Sequence, residues 1–295
     1  MQLLVTGSSG FTGSRLALYL AQQPEIERVV AVDRVRPRVF HPKLQSHIVD
    51  LTDWNTFAPL RRDDVRPHAV IHTAADQASR YLLFANSIAM KNLLDLCADR
   101  QVERLIFFSS FYASMRCNNY YRYGKLDSEH ELRRSGLRHV ILRPDTIYAH
   151  GEPKYVTLIN ALRKHMVPVI GDGHYLRTPC YAWDLAVAVH RILTQDRYPC
   201  DIFEIGSPTA YSMNEMMALM AREIGIKRYL RLPLPRVMFK VLFSITGTAD
   251  ADQMNTLGED RVASPARFTE TFGLSPIDFE EGVSYLCKGD DRWPL

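Results

Sequence analysis

A phenol and an ammonium group stand four residues apart near the middle of the chain, at Tyr121 and Lys125. On a helix this spacing brings both groups to one face, where the ammonium stabilises the phenolate and lowers its pKa toward the range of a general acid/base. Upstream, Ser109 and Ser110 follow the apolar run 105–108, at the end of a predicted strand. A hydroxyl there can hold the oxygen of an alcohol or carbonyl. The pattern therefore predicts proton transfer at such an oxygen.

A glycine-rich segment near the N-terminus, residues 6–13, follows the first predicted strand and opens the first predicted helix. Its glycines permit a tight turn, a close approach of the backbone to a pyrophosphate, and close packing of helix on strand. They are Gly7, Gly10 and Gly13. Asp33, 20 residues after the last of them, ends the second strand, where a carboxylate accepts hydrogen bonds from an adenosine ribose and repels a 2′-phosphate. This predicts NAD.

Basic residues directly after Asp33 keep NADP as an alternative, because arginine can accommodate a 2′-phosphate. They are Arg34, Arg36 and Arg38. A solvated basic loop is the other interpretation of these three side chains, and it favours NAD.

The elements that must position these groups alternate along the first half of the chain. Short runs that are apolar on both faces lie at 3–5, 28–32, 47–49, 69–71, 105–108 and 139–142. Helix-like stretches cover 14–22, 86–100 and 121–135. Strands buried on both faces and separated by helices are typical of a parallel sheet covered on both sides. The sequence predicts an α/β fold with a doubly wound, Rossmann-type sheet.

The pattern changes after Pro144, where glycine and proline become frequent and one further strand is predicted at 202–205. We expect an NAD-binding domain over residues 1–150, which residues around 178–207 rejoin. Residues 151–177 and 208–295 are expected to form a smaller, mainly helical substrate lobe.

Composition excludes several classes of function. The 295 residues carry 36 Lys+Arg against 33 Asp+Glu, and this net charge of +3 gives no support to nucleic acid as a partner. The five cysteines are odd in number and form no CxxC, which argues against a disulfide framework and a cysteine-rich metal site. No signal peptide is recognisable, and no apolar run approaches the ~20 residues that span a bilayer. We expect a cytoplasmic protein with no metal site.

With these residues in view, the chain resembles the extended short-chain dehydrogenase/reductase family, which includes sugar-nucleotide epimerases and 3β-hydroxysteroid-type dehydrogenases. Segment 7–13 is similar to the family's TGxxGxxG, 50–53 to its D-[LI]-x-D, 72–75 to its H-x-A-A and 121–125 to its YxxxK. Further similarities are Asn86, Ser110, Glu129, Arg143-Pro144 with Tyr148 and Gly151, Gly171-Asp172-Gly173 with Arg177 and Asp184, and the strand 203–206.

The resemblance implies a role for each matched residue. Tyr121 would be the general acid/base, Lys125 would lower its pKa and hold the nicotinamide ribose, and Ser110 would orient the substrate oxygen during hydride transfer. Arg177 would bind a substrate phosphate, the alternative being an ion pair with Asp184. The implied cofactor contacts are Gly7, Ser9, Gly10, Phe11, Thr12, Gly13, Asp33, Arg34, Asp50, Leu51, Thr73, Ala74, Ala75, Asn86, Tyr121, Lys125 and Pro144.

The implied function is NAD-dependent oxidation or epimerisation of a secondary alcohol on a small molecule. A sugar-nucleotide epimerase or dehydrogenase is the first candidate, and a 3β-hydroxysteroid-type dehydrogenase is the second. A non-catalytic, nucleotide-sensing regulator on the same fold is a third. In this family the helices that carry Asn86 and Tyr121 often pair across a two-fold axis, so a homodimer is expected.

The chain departs from the family's pattern around Ser110. Dehydratases of the family follow this position with Asp-Glu, whereas the chain has Phe111-Tyr112, which disfavours dehydration. Segment 113–115 replaces the usual V-Y-G, and the intervals 110–121 and 72–86 are short, which predicts an open pocket or a different substrate. The apolar segment 234–245 is interpreted as a core or oligomer-contact helix, or alternatively as the lining of a hydrophobic pocket or a membrane contact.

Overall fold

A computed structural model of the chain describes residues 1–37, 39–75, 82–195, 199–235, 237–238, 256 and 258–293. The strands are β1 (Gln2–Thr6), β2 (Arg28–Asp33), β3 (Leu44–Ile48), β4 (Ala69–His72), β5 (Arg104–Phe108), β6 (Arg138–Pro144), β7 (Ile147–Tyr148), β8 (Met166–Ile170), β9 (Leu176–Arg177), β10 (Cys180–Tyr181), β11 (Asp201–Ile205), β12 (Tyr211–Ser212) and β13 (Leu230–Leu234). The helices are α1 (Phe11–Gln22), α2 (Leu82–Asp99), α3 (Tyr120–Arg134), α4 (Pro153–Arg163), α5 (Ala182–Thr194), α6 (Met213–Glu223), α7 (Ala266–Phe272) and α8 (Phe279–Lys288). Short 3₁₀ turns cover Trp54–Arg61 and Phe111–Ser114.

Seven strands form one parallel sheet in the order β3-β2-β1-β4-β5-β6-β11. Its inner strands are buried along nearly their whole length, as their unbroken apolar runs predict. The strand order reverses between β1 and β4, which opens a crevice at the carboxyl ends of these strands, where ligands bind in doubly wound sheets. The predicted fold class is confirmed.

Helices cover both faces of this sheet. Leu16 of α1 and Leu185 of α5 belong to the core on one face, while Leu93 of α2 and Leu132 of α3 belong to the core on the other. Helices α2 and α3 therefore lie side by side on the second face, and α3 carries Tyr121 toward the carboxyl edge of the sheet.

The second half of the chain both returns to the sheet and leaves it. Strand β11 pairs with β6, with Phe203 opposite Leu142, as the apolar run 202–205 predicts. A separate core around Met217, Phe279 and Val283 joins α4, α6 and α8. The expected mainly helical lobe also contains paired strands, since β8 pairs with β13 and β9 with β12. β7 pairs with β10 among the residues expected in the NAD-binding domain. These short strand pairs were not predicted from the sequence, and they add to the helices of the lobe.

The short strands escaped prediction for a physical reason. β8 and β13 each contain a proline, at Pro168 and Pro233, which is unusual inside a strand, and no residue of β13 is fully buried. They pair across some sixty residues of intervening chain, so no local turn signals their register.

Two sequence predictions lie outside the described residues. Arg38 is one, and most of segment 234–245 is the other, since the structure describes only 234–235 and 237–238 of it. Among the described residues, no helix is long and apolar enough to cross a membrane. Over the same residues, no three His, Cys, Asp or Glu side chains cluster as metal ligands would.

Candidate active site

The glycine-rich loop connects β1 to α1 at the carboxyl edge of the sheet. Gly7 has φ +73°, and a Cβ on this residue would lie 2.6 Å from the backbone nitrogen of Ala74. A Cβ on Gly13 would lie 2.1 Å from the Gly7 carbonyl oxygen. Both positions therefore require glycine, and the loop that results brings the N-terminus of α1 to the crevice. A dinucleotide needs such a cradle, with free N–H groups for its phosphates.

Asp33 ends β2 directly beside this loop. One carboxylate oxygen accepts a hydrogen bond from the Ser9 backbone nitrogen at 2.9 Å, and the other accepts from the Arg34 nitrogen at 2.7 Å. The carboxylate is thus fixed against the loop, and its contact with a ribose stays a prediction. Arg34 and Arg36 are exposed.

The other predicted cofactor residues occupy neighbouring strand ends and helices. Thr73, after β4, donates to the Thr6 carbonyl at 2.7 Å and leads to Ala74 and Ala75 beside the loop. Ser9 Oγ donates to the Val35 carbonyl at 2.9 Å. Asp50 accepts a hydrogen bond from the Thr52 nitrogen at 2.8 Å. Two further residues, Leu51 and Asn86, are buried. The remaining ones lie at the end of β6 (Pro144) and in the first turn of α1 (Phe11 and Thr12). These placements agree with a cofactor groove along the crevice, and the individual contacts stay predictions.

Tyr121 and Lys125 lie on one face of α3, packed against the end of β5. The Lys125 Nζ donates to the Phe108 carbonyl at 2.7 Å and lies 5.8 Å from the centre of the Tyr121 ring. Both side chains are largely buried. Burial lowers the pKa of Lys125 to about 7, and the Glu129 carboxylate opposes this shift.

Ser110 follows β5 and caps a 3₁₀ turn. Its Oγ accepts a hydrogen bond from the Tyr112 backbone nitrogen at 3.3 Å. The ring of Tyr112 meets the ring of Tyr121 edge to face, with centres 6.0 Å apart. The structure therefore brings the serine turn and the Tyr-Lys pair together, as the sequence predicts. Sequence reasoning did not identify Tyr112 as part of this site, although its position two residues after Ser110 was a signal.

Arg177 and Arg261 form a buried basic pair beside this turn. Arg177 is 4% exposed, donates to the Leu176 carbonyl at 2.7 Å and has a pKa that burial lowers to about 10. Arg261 pairs with Asp145 at 3.3 Å, and its guanidinium carbon lies 5.0 Å from the centre of the Tyr112 ring. No sequence motif pointed to Arg261, which lies 84 residues after Arg177 in the chain.

Asp184 is not the partner of Arg177, so the ion pair considered from the sequence is wrong. Its carboxylate accepts a hydrogen bond from the Ile277 backbone nitrogen at 2.8 Å. Burial raises the pKa of Asp184 to about 6. His72 likewise has a packing role: it is hydrogen-bonded to Thr6 Oγ1 at 2.7 Å, and burial lowers its pKa to about 3.

Residues from β1 to β11, which include the glycine loop, Asp33 and the Tyr-Lys-Ser group, match a known family. The sequence profile of the NAD dependent epimerase/dehydratase family matches residues 3–206. The chain belongs to this family. It is accordingly an NAD-dependent enzyme related to the sugar-nucleotide epimerases, with NAD as its cofactor.

Individual relatives agree in fold and differ widely in sequence. The dTDP-L-rhamnose 4-epimerase of Burkholderia thailandensis is 24% identical over 76% of this chain and 81% of its own. The UDP-glucuronic acid 4-epimerase of Bacillus cereus, solved with NAD, superposes with a TM-score of 0.78 at 18% identity over 98% of both chains. The UDP-glucose 4-epimerase of Thermotoga maritima gives 0.79 at 20% identity over 98% of both chains. At such identities the structures establish the fold.

Proposed function

We propose that this protein is a sugar-nucleotide epimerase or dehydrogenase that acts on a secondary alcohol with NAD as cofactor. The observation that carries the proposal is the buried Lys125 ammonium beneath Tyr121, next to Ser110 and at the same sheet edge as the glycine loop. Burial lowers the pKa of this lysine to about 7, so its charged form is costly to the fold. Perturbed groups of this kind cluster at catalytic sites.

In the proposed reaction, each of these residues either takes part in proton transfer or binds the substrate oxygen. Lys125 stabilises the phenolate form of Tyr121, and this phenolate removes the proton of the substrate hydroxyl as the carbinol is oxidised. Ser110 holds the substrate oxygen. NAD, held by the loop 7–13 and Asp33, supplies the hydride acceptor when bound. Epimerisation would be complete when hydride returns from the reduced cofactor to the other face of the keto carbon and Tyr121 returns its proton to the substrate oxygen. Release of the ketone instead would give net oxidation.

The basic pair favours a nucleotide sugar over a sterol. The Arg261 guanidinium lies against the Tyr112 ring, which contacts Tyr121. Arg177 interacts electrostatically with both Arg261 and Tyr112, so this side of the site carries two guanidinium groups. Among the described residues, Asp145 forms an ion pair with Arg261, and no carboxylate forms one with Arg177. The excess positive charge suits a phosphorylated substrate, and a sterol offers nothing to compensate it.

The test is a substrate panel with two optical and spectroscopic readouts. dTDP-L-rhamnose, UDP-glucose, UDP-glucuronic acid and a 3β-hydroxysterol are each incubated with the enzyme and NAD. NADH absorbance reports net oxidation, and proton NMR of the sugar reports epimerisation without net absorbance. We expect turnover of a sugar nucleotide and a loss of about 100-fold or more in kcat for Tyr121→Phe. Tyr229→Phe, at a tyrosine that packs on the core of α4, α6 and α8, should change kcat little.

Other outcomes of the same panel would redirect the proposal. Turnover of the sterol alone would establish the steroid-type activity. If the protein binds NAD but converts none of the four candidate substrates, and if Tyr121→Phe leaves NAD binding unchanged, a nucleotide-sensing regulator would be favoured.

We also propose a cytoplasmic homodimer that pairs through α2 and α3. The outer faces of these helices expose large side chains, namely Phe84, Ile88, Tyr120 and Tyr123. Exposed apolar groups on two adjacent helices suit a helix-bundle interface. The free cysteines suit a reducing compartment. Sedimentation that shows only monomer at micromolar concentration would contradict the dimer.

A further inference from the structure

An ion pair between Glu129 and Arg143 lies directly behind the serine turn. Arg143 Nε donates to Glu129 Oε1 at 2.9 Å, and its Nη2 donates to the other carboxylate oxygen. The Glu129 carboxylate is almost fully buried, and Arg143 is largely buried. Buried ion pairs contribute little net stability compared with apolar side chains of the same shape, so stability alone does not account for this pair.

The pair holds the Ser110 turn from both sides. On the N-terminal side, Ser109 Oγ donates to Glu129, and the Ser109 nitrogen donates to the Leu142 carbonyl at 2.8 Å. On the C-terminal side, Arg143 Nη1 donates to Ser114 Oγ at 3.1 Å. Ser110 and its 3₁₀ turn therefore lie between two attachments to the same ion pair.

The same ion pair also fixes α3. Tyr121, Lys125 and Glu129 follow one another at four-residue intervals along the helix, so all three face β5. Lys125 is bonded to the Phe108 carbonyl and Glu129 to the next residue, Ser109. Two successive residues of the strand end are thus joined to two successive turns of α3, which fixes the register of Ser110 against Tyr121.

We propose that Glu129, held by Arg143, is a positioning residue that sets the geometry of Ser110, Tyr121 and Lys125. Ser114, one of the residues that stand in place of the family's usual V-Y-G, belongs to the same hydrogen-bond network. Its hydroxyl receives the Arg143 bond and donates to Glu204 of β11 at 2.6 Å, which extends the network to the last strand of the sheet.

Glu129 also acts on the charge of Lys125. The groups that face the Lys125 ammonium are the Phe108 carbonyl of β5, His72 of β4, and Tyr121 and Glu129 of its own helix. Burial keeps His72 neutral at neutral pH, so Glu129 is the carboxylate that opposes the loss of the Lys125 proton. Without that carboxylate Lys125 deprotonates at lower pH, and the phenol of Tyr121 loses its stabilising charge.

The inference rests on the proposed role of Tyr121, so the first experiment measures Tyr121 directly and needs no substrate. Tyrosinate absorbance is titrated for the NAD-bound protein, and the same curve for the Tyr121→Phe form of each variant is subtracted. We expect Glu129→Gln to raise the midpoint of the Tyr121 transition by about one pH unit. Glu280→Gln, which removes an exposed carboxylate paired with Arg222 at 2.9 Å, is the matched control and should leave it in place.

Absence of a Tyr121 transition below the ordinary tyrosine range in the wild-type protein would refute the acid/base assignment, and the inference with it. A wild-type transition that a folded Glu129→Gln leaves unmoved would overturn the inference alone.

Ser109→Ala and Ser114→Ala provide the second measurement, which holds even where Glu129→Gln does not fold. Each removes one hydroxyl and leaves the ion pair in place. On the best sugar nucleotide of the panel we expect kcat to fall about tenfold, with KM for NAD within about twofold. A purely structural role would lower the melting temperature and leave kcat per folded molecule unchanged. That result would overturn the proposal.

Discussion

Replacing Lys125 by methionine should abolish catalysis and stabilise the fold at the same time. Lys125 is 2% exposed, and burial lowers its pKa from 10.5 to about 7. A shift of this size corresponds to about 5 kcal/mol of unfavourable free energy for the charged form in the folded state. Methionine keeps the length of the side chain and packs on the Phe107 ring, over which the ammonium now lies at 4.7 Å.

The gain is smaller than that figure, since the substitution also removes the 2.7 Å bond to the Phe108 carbonyl. A hydrogen bond to a charged group contributes about 2 kcal/mol, and the carbonyl is left without this donor. We therefore expect Lys125→Met to raise the free energy of unfolding by about 2 kcal/mol at pH 6. For a chain of this size that is roughly 4 °C in melting temperature.

The stability difference between Lys125→Met and the wild type should depend on pH. Below pH 7 Lys125 is protonated in both the folded and the unfolded chain, so the full cost of burying its charge is present. Between pH 7 and 10.5 the unfolded chain binds more protons, and wild-type stability rises by up to about 1.4 kcal/mol per pH unit relative to the variant. The advantage of Lys125→Met should consequently shrink as pH rises through this window.

Urea unfolding of the cofactor-free proteins at pH 6, 8 and 9 measures this difference, with Lys227→Met as the control at an exposed position. The control should alter stability little and show no such trend. A Lys125→Met protein that is less stable than wild type at pH 6, or whose stability difference does not vary with pH, would refute the reasoning. The activity of Lys125→Met should fall by about 100-fold or more whatever its effect on stability.

Three further substitutions test the crevice and its surroundings. Gly13→Ala places a methyl group 2.1 Å from the Gly7 carbonyl, so we expect about 2 kcal/mol of destabilisation in urea unfolding and weaker NAD binding by calorimetry. Asp33→Ala should lower the preference for NAD over NADP by about tenfold in the ratio of the two dissociation constants. The pKa of Asp184 is raised to about 6, so stability is lost as pH rises from 3.8 through 6. Asp184→Asn should stabilise the protein by about 2 kcal/mol at pH 7, with the gain disappearing near pH 4 in the same unfolding measurement.

The sheet was predictable from sequence because burial on both faces leaves an unmistakable pattern. Strands such as Ala69–His72 and Arg104–Phe108 must be apolar at nearly every position, and Gly7 must be glycine because of its positive φ and its neighbours. The Tyr121–Lys125 spacing is also informative from sequence alone, because residues i and i+4 share one face of any helix.

Pairings between distant segments could not be predicted this way. Arg261 forms an ion pair with Asp145, which lies 116 residues earlier in the chain. The local sequence around either residue does not predict this contact. The strand pairing of Met166–Ile170 with Leu230–Leu234 escapes for the same reason. Contacts of this kind depend on how the second half of the chain packs, which periodicity does not encode.

Glu129 lies between these two cases. Its place on the catalytic face follows from spacing alone, because it comes four residues after Lys125 as Lys125 comes four after Tyr121. Its partner Arg143 stands at the end of β6, the strand next to the one that delivers Ser110, so strand adjacency in a doubly wound sheet brings the guanidinium to the same edge. The positioning device is therefore built from two regularities of the fold, helix period and strand order. The catalytic serine, the lysine and their support consequently belong to one cooperative unit, and a variant that weakens the Glu129–Arg143 pair should alter proton transfer before it alters NAD binding.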